Sequence, residues 1–158
     1  MTPRVLLIVA FFAVLVIASV MFGLLVLSPA RLDLSAAGWI EWQQETIPWI
    51  RIPIIAAFVV SLASTVAVAL MLRRSSSRAS RWLFVVVGLL VVVVVITVAG
   101  ELPLNDEIEA WSAERPPSDW EDVRNEWETL HALRGVAAAS ALAILYLAVP
   151  LPAGGAKT

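Results

Sequence analysis

Long apolar stretches alternate with short polar connections along the chain, and this pattern defines the predicted elements. We predict four helices, over residues 4–27, 53–72, 82–100 and 119–149. Each is close to the roughly 20 residues that a helix needs to cross a bilayer, where a helical backbone satisfies its own hydrogen bonds. The valine run at 91–95 lacks the alternation of a membrane strand. The pattern therefore predicts an all-α fold, a membrane four-helix bundle in which residues 1–158 form a single domain.

Charges are divided between the two sides of the predicted bundle, which sets its orientation. Residues 73–81 hold four arginines, and short loops rich in Lys and Arg stay in the cytoplasm. The first helix is too long for a signal-peptide core and has no A-x-A-like cleavage site, so we expect it to be retained. Both termini, including Lys157, are then cytoplasmic, and all 13 acidic residues fall in the outer segments 28–52 and 101–129. We predict a multi-pass plasma-membrane protein with its acidic side outside.

The first outer segment carries the spacing of a short helix that lies in the membrane interface. Trp39, Trp42 and Thr46 fall at i, i+3 and i+7, whereas Glu41 and Glu45 occupy another face. Six of the seven tryptophans lie on the predicted outer side, as in an aromatic belt. We therefore predict an interfacial helix here, anchored by its tryptophans.

Small residues and one proline indicate how the helices pack. Alanine and serine recur along 53–72 and, with glycine, along 119–149, and such residues allow helices to approach closely in lipid. We expect these two helices to pack against each other. Pro103 lacks an amide hydrogen and clashes with the preceding turn, so we expect it to end the third helix.

The last helix presents a cationic and aromatic stripe at its outer end. Spacings of 4, 3, 4 and 3 place five residues on one helix face: Trp120, Arg124, Trp127, His131 and Arg134. His131 and Arg134 lie at the hydrocarbon boundary, where an ionisable group is a functional-site hypothesis by default. Arg134 needs a partner, which we expect to be Glu101 or Asp106 at the end of the third helix. The alternative interpretation is structural, with an arginine–carboxylate clamp between two helices and a satisfied interfacial histidine.

The residue inventory excludes several kinds of site. The chain has no cysteine and one histidine, which excludes disulfides, iron–sulfur clusters and a multi-histidine metal centre built from one copy. Glu128 and His131 form a single Glu-x-x-His step, whereas di-iron bundles use two. No phosphate-binding glycine loop or nucleophile elbow is present. We predict no metal and no cofactor, and we interpret the basic linker as a topology signal beside the lipid bilayer rather than a nucleic-acid site.

A set of residues in the second half of the chain resembles a known family. It comprises Leu102-Pro103-Leu104-Asn105-Asp106, Trp111, Pro116-Pro117, Asp119-Trp120, Arg124, Trp127 and Leu130-His131-Ala132-Leu133-Arg134. These residues resemble the anthrone-oxygenase-like family of small four-helix membrane proteins, closely over 101–149 and more loosely over the first two helices. Characterised members oxidise an anthrone to an anthraquinone with molecular oxygen, with no established metal or flavin. The resemblance implies that activity here.

The predicted site residues are compatible with this chemistry. An anthrone has a C–H group made acidic by its carbonyl, so a general base can form a carbanion that reacts with oxygen. We assign His131 as the base and Arg134, with Arg124 as the alternative, as the group that stabilises the enolate oxygen. Tryptophans would stack on a flat ring system, and an amide would bind a phenol or carbonyl. The predicted substrate-binding residues are Asn105, Asp106, Trp120, Arg124 and Trp127.

The sequence supports two competing functions. The first is an extracytoplasmic-side pocket that binds, and oxidises with O2, a flat hydrophobic aromatic or quinone-like small molecule. The second is non-enzymatic: an accessory or assembly subunit that packs against a larger membrane protein complex. The surroundings of His131 discriminate between the two, because a pocket-facing ring nitrogen favours chemistry, whereas burial against a partner chain favours the subunit.

Overall fold

The computed structural model describes residues 2–74 and 77–148, and its regular elements are helical. They are α1 (Pro3–Leu32), α2 (Ala36–Leu72), α3 (Ser77–Ile96), a π-helical turn (Thr97–Glu101), α4 (Leu102–Glu109) and α5 (Trp120–Ala148). Within these ranges, four helical stretches are long and apolar enough to cross a membrane. The all-α, multi-pass prediction is therefore confirmed. Residues 75 and 76 of the basic linker, the predicted helix end at 149, and Lys157 lie outside the described residues.

The second helix is much longer than its predicted membrane span. It has 37 residues and contains both Pro48 and Pro53. The apolar pattern had predicted that this helix begins at Pro53. The Ser35 side chain caps its first turn by accepting a hydrogen bond from the Gly38 amide at 3.3 Å. Its length is about 55 Å at 1.5 Å per residue, so it exceeds the thickness of the hydrocarbon core. The short interfacial helix predicted in the first outer segment, which contains Trp39, Trp42 and Thr46, is thus the first part of α2.

The third membrane helix does not end at Pro103. It continues to Glu109 through the π-helical turn, in which the Leu102 amide reaches back to the carbonyl of Thr97. A proline in a regular helix lacks one hydrogen bond and collides with the carbonyl four residues earlier. A wider turn with five-residue hydrogen bonds relieves that collision, and such turns often mark functional sites. The chain therefore widens at this point where the sequence predicted a break.

The four long helices form a ring in the order α1, α2, α3 and α5. Among the described residues, α1 and α3 each pack extensively against both α2 and α5, so α2 and α5 are diagonal. The predicted contact between these two helices is therefore wrong. The small residues of α5 serve other neighbours: a Cβ added to Gly135 would lie 2.8 Å from the Leu25 side chain of α1. Small side chains thus bring α1, rather than α2, close to α5.

An aromatic cluster closes one end of the ring. We call this the acidic end, because the connections 33–35 and 110–119 lie there within the two segments that hold the acidic residues. Its buried members are Trp39, Ile40, Leu104, Ile108 and Trp127. Trp39 is fully buried there, so its predicted role as an interfacial anchor is wrong, whereas Trp49 is exposed. The first turns of α2 pack against this cluster, which gives Trp39 a protein environment instead of a lipid one.

Candidate functional site

A cavity of about 340 Å³ lies between α2 and the third membrane helix, toward the acidic end. Its walls are mainly aliphatic and aromatic, and α1 and α5 contribute to its back. Three lining residues, Ile55, Val59 and Val98, are exposed on the outer surface of the bundle. The cavity therefore opens sideways, toward the position of surrounding lipid. Seven polar residues also line it: Gln43, Thr46, Arg51, Thr97, Glu101, Asn105 and Arg134.

A buried ion pair forms part of the cavity wall. The Nη2 atom of Arg134 lies 2.6 Å from Oε2 of Glu101, and its Nη1 donates a hydrogen bond of 2.9 Å to Oγ1 of Thr97. The expected partner of Arg134 is therefore Glu101, the first of the two predicted candidates. Burial favours such a pair only when the charges are well matched. Two of its polar atoms, Oε1 of Glu101 and Nε of Arg134, have no hydrogen-bond partner in the part of the chain that the structure describes.

His131 lies behind this pair and is fully buried. Its Nδ1 is 3.1 Å from Nη2 of Arg134, and its Nε2 is 3.4 Å from the backbone oxygen of Met21. A guanidinium only donates hydrogen bonds, so Nδ1 must accept and Nε2 must carry the hydrogen that faces the carbonyl. Both ring nitrogens therefore have protein partners, and His131 is not among the residues found to line the cavity. The assignment of His131 as base stays a prediction, to which this geometry gives no support.

Trp127 connects the histidine to the cavity. Its ring stacks on that of His131, with the centroids 4.9 Å apart and the planes at 5°. Its Nε1 donates a hydrogen bond of 2.9 Å to Oδ1 of Asn105, and both residues line the cavity. The structure thus brings together three predicted site residues, Asn105, Trp127 and Arg134, on one cavity wall. A turn of α4 and two turns of α5 fix their relative positions.

Three other predicted substrate-binding residues lie away from the cavity lining. The guanidinium of Arg124 sits 4.7 Å from the ring centroid of Trp120. The Asp106 side chain is 72% exposed and lies 3.8 Å from Arg51. The stripe on α5 does share one face, but 14 residues of helix extend over about 21 Å. Its first members are therefore too far toward the acidic end to reach a cavity that Arg134 lines.

A second buried ion pair was not expected from the sequence. Arg31 of α1 contacts Glu128 of α5 through two hydrogen bonds, Nε to Oε1 at 2.9 Å and Nη2 to Oε2 at 2.7 Å. The guanidinium also lies 4.9 Å from the Trp42 ring centroid and 5.4 Å from that of Trp127. Arg31 lies four residues after the apolar run that ends at Leu27, and a buried cation at the end of a membrane helix needs a partner. This pair holds two cavity-lining tryptophans in place.

Gln43 is the other polar residue that sequence reasoning missed. It is fully buried and lines the cavity, yet neither atom of its amide has a hydrogen-bond partner within the described ranges. The adjacent Gln44, in contrast, donates to the backbone oxygens of Ile108 and Trp111. Buried amides are normally hydrogen-bonded, so the unpaired amide of Gln43 stands out among the residues that line the cavity. The sequence analysis missed Gln43 because it placed the first outer segment in the membrane interface.

Comparison with known proteins gives one match, to a family model. No curated protein and no solved structure matches the chain. A family model described as anthrone oxygenase matches residues 49–144. The matched region runs from the middle of α2 into the last turns of α5, and it contains Glu101, Asn105, Trp127, His131 and Arg134. Because the match covers more than half of the sequence, this chain belongs to the anthrone oxygenase family.

Proposed function

We propose that this membrane protein binds a flat, hydrophobic aromatic ketone of the anthrone type in the cavity and oxidises it with O2. The observation that carries the proposal is the buried Glu101–Arg134 pair on the wall of an otherwise apolar cavity. Membership of the anthrone oxygenase family supports the reaction type. Charged groups inside a membrane bundle are costly and generally functional.

The shape and lining of the cavity suit such a ligand. Its volume of about 340 Å³ falls within the roughly 300–1,000 Å³ of small-molecule sites. Trp42 and Trp127 offer flat aromatic surfaces for a fused ring system. The sideways opening past Ile55 and Val59 would admit a molecule dissolved in the bilayer. The arginines of the 73–81 linker favour the cytoplasm, which would place the cavity on the extracytoplasmic side of a plasma membrane.

The proposed reaction converts the ring CH2 group, which lies opposite the ketone, to a second ketone. Loss of one proton leaves an electron pair that is delocalised onto the ketone oxygen. The carbanion reduces O2 and forms a C–O bond, and protonation gives a hydroperoxide. Removal of the second C–H proton then cleaves the O–O bond and releases water. One oxygen atom of O2 enters the product and the other leaves as water, so the substrate is oxidised by O2 alone.

The cavity residues have distinct parts in this proposal. Arg134 stabilises the negative charge that develops on the ketone oxygen, and its Nε–H has no other hydrogen-bond partner among the described residues. Trp127 stacks on the ring system, and Asn105 holds the Trp127 indole through the 2.9 Å hydrogen bond. His131 accepts from Arg134 and orients it. Trp120, Arg124 and Asp106 have no part in it, because they lie outside the cavity lining.

Oxygen uptake in membranes tests the proposal directly. Membranes that contain the protein should consume O2 with a simple anthrone faster than membranes without it, and 18O2 should place one labelled oxygen in the anthraquinone. Arg134→Gln should lower kcat by about 10²–10³, the usual effect of losing a group that stabilises an oxyanion. The control is Arg115→Gln, which removes an exposed cation from the loop. A wild-type rate equal to that of empty membranes would refute the oxygenase function.

A further inference from the structure

We propose that Glu101 is the catalytic base of this cavity and takes the substrate C–H proton at Oε1, an inference that rests on the proposed function. Glu101 is buried and lines the cavity. Its Oε2 is held by Arg134 at 2.6 Å, whereas its Oε1 has no hydrogen-bond partner among the described residues. One carboxylate therefore presents a fixed oxygen and a free oxygen in the same site.

The free oxygen is unusual for a buried carboxylate. An ionised carboxylate has about four acceptor positions, and the large majority of buried side-chain polar atoms have a hydrogen-bond partner. Gln44, for comparison, satisfies its amide nitrogen with two backbone oxygens only a helical turn from the site. Oε1 is itself buried, so it would gain a hydrogen-bond partner only from a ligand that packs directly against Glu101. Oε1 of Glu101 only accepts, so the ligand must bring it a hydrogen.

The surrounding residues fix Glu101 through Arg134. The guanidinium donates to Thr97 at 2.9 Å through Nη1 and to His131 Nδ1 at 3.1 Å through Nη2. Nη2 is therefore shared between His131 and Glu101, while Nδ1 lies 3.7 Å from Oε1. His131 has no lone pair left for a substrate, since Nδ1 accepts and Nε2 faces the Met21 oxygen. His131 is thus a positioning residue, and Glu101 is the base that can touch the substrate.

Oε1 of Glu101 accepts and returns each proton of the proposed reaction in turn. The carboxylate takes the first C–H proton, and the electron pair moves to the substrate ketone oxygen near Arg134. The carboxylic acid then returns that proton to the peroxide oxygen after O2 has added. The regenerated carboxylate removes the second C–H proton as the O–O bond breaks, and this proton leaves with hydroxide as water. The carboxylate ends each cycle unchanged, and O2 is the oxidant throughout.

Deuterium exchange without oxygen isolates the proton-transfer step. Anthrone deuterated at its CH2 group is incubated with membranes under nitrogen, and loss of deuterium to solvent is followed by mass spectrometry against empty membranes. Glu101→Gln keeps the side-chain shape but removes the base, so enzymatic exchange should fall by at least about 100-fold. Glu101→Asp moves the carboxylate back by one methylene and should slow exchange by about 10-fold or more. Tryptophan fluorescence quenching should show that Glu101→Gln still binds anthrone.

Glu126→Gln provides the control, because Glu126 is an exposed carboxylate of α5 that does not line the cavity. It should leave both the melting temperature and the exchange rate close to those of the wild type. If the wild-type protein shows no exchange and no O2 uptake above those of empty membranes, both the proposed function and the assignment of Glu101 as base are refuted. Wild-type oxidation with an equally active Glu101→Gln variant would overturn the base alone. If Glu101→Gln does not fold, Glu101→Asp decides, since exchange at the full rate would overturn the assignment.

Discussion

Replacement of Arg134 by leucine tests whether the buried ion pair also holds the bundle together. The substitution removes a side chain that contacts Glu101 at 2.6 Å, Thr97 at 2.9 Å and His131 at 3.1 Å. The side chains of Arg134 and Glu101 are only 7% and 3% exposed. The surrounding cavity wall is mainly apolar and offers few replacements for the lost contacts, and the carboxylate stays buried with no counter-ion. We expect Arg134→Leu to lower the free energy of unfolding by about 3–5 kcal/mol, as for other buried pairs.

The same reasoning predicts a partial rescue. Most of the expected loss comes from the uncompensated charge of Glu101 rather than from the missing arginine, because removal of both partners can be nearly neutral. Glu101→Gln in the Arg134→Leu background removes that charge. The double variant should therefore be more stable than Arg134→Leu alone, and the coupling free energy of the cycle should be about 2–3 kcal/mol.

The measurement is equilibrium unfolding in mixed micelles by titration with a denaturing detergent, with both single variants and the double variant. Arg51 and Glu109 supply the control cycle, because they likewise connect the third membrane helix to a neighbour, α2, but are 34% and 36% exposed. A partly exposed pair should give a coupling of at most about 1 kcal/mol. Additive effects of Arg134→Leu and Glu101→Gln, or equal coupling in the two cycles, would show that burial of this pair does not determine its contribution.

Three further predictions concern ligand binding, packing and topology. Gln43→Leu should raise the KM for anthrone more than it lowers kcat, because the free buried amide can bind ligand; an unchanged KM in the oxygen-uptake assay would contradict this. Gly135→Val should lower the melting temperature in detergent more than Gly23→Val, since a Cβ at 135 meets a leucine at 2.8 Å and one at 23 meets nothing within 4 Å. Equal losses would refute that. In intact cells, Ser112→Cys should react with an impermeant maleimide and Arg74→Cys should not; the opposite pattern would reverse the predicted orientation.

The sequence predicts the number and type of the membrane helices well, because hydropathy depends only on local composition. It also identifies Arg134 as an intramembrane charge and offers Glu101 as its partner, and the 2.6 Å contact confirms this. The diagonal placement of α2 and α5 could not be predicted in the same way. Small residues show that a helix can approach a neighbour, but they do not show which neighbour it approaches.

The missed site residues share a physical cause. Arg31 and Glu128 are 97 positions apart, so their pairing depends on the packing of α1 against α5. Gln43 lies in a segment whose charges and tryptophans are typical of an interface, yet it is buried in the first turns of α2. In each case the local sequence pattern predicted the environment that such a residue usually has. The tertiary arrangement supplied a different one.

The π-helical turn explains how one strip of helix can present three polar residues to the cavity. Regular α-helix turns by about 100° per residue, so positions four apart drift by about 40° around the axis. Thr97, Glu101 and Asn105 would diverge by about 80° over eight residues of such a helix, yet all three line the cavity. The wider turn at 97–101 contains an additional residue and offsets part of that drift. Pro103, which the sequence suggested as the end of the helix, favours this wider turn, and it thereby helps to keep Glu101 on the same face as Thr97 and opposite Arg134.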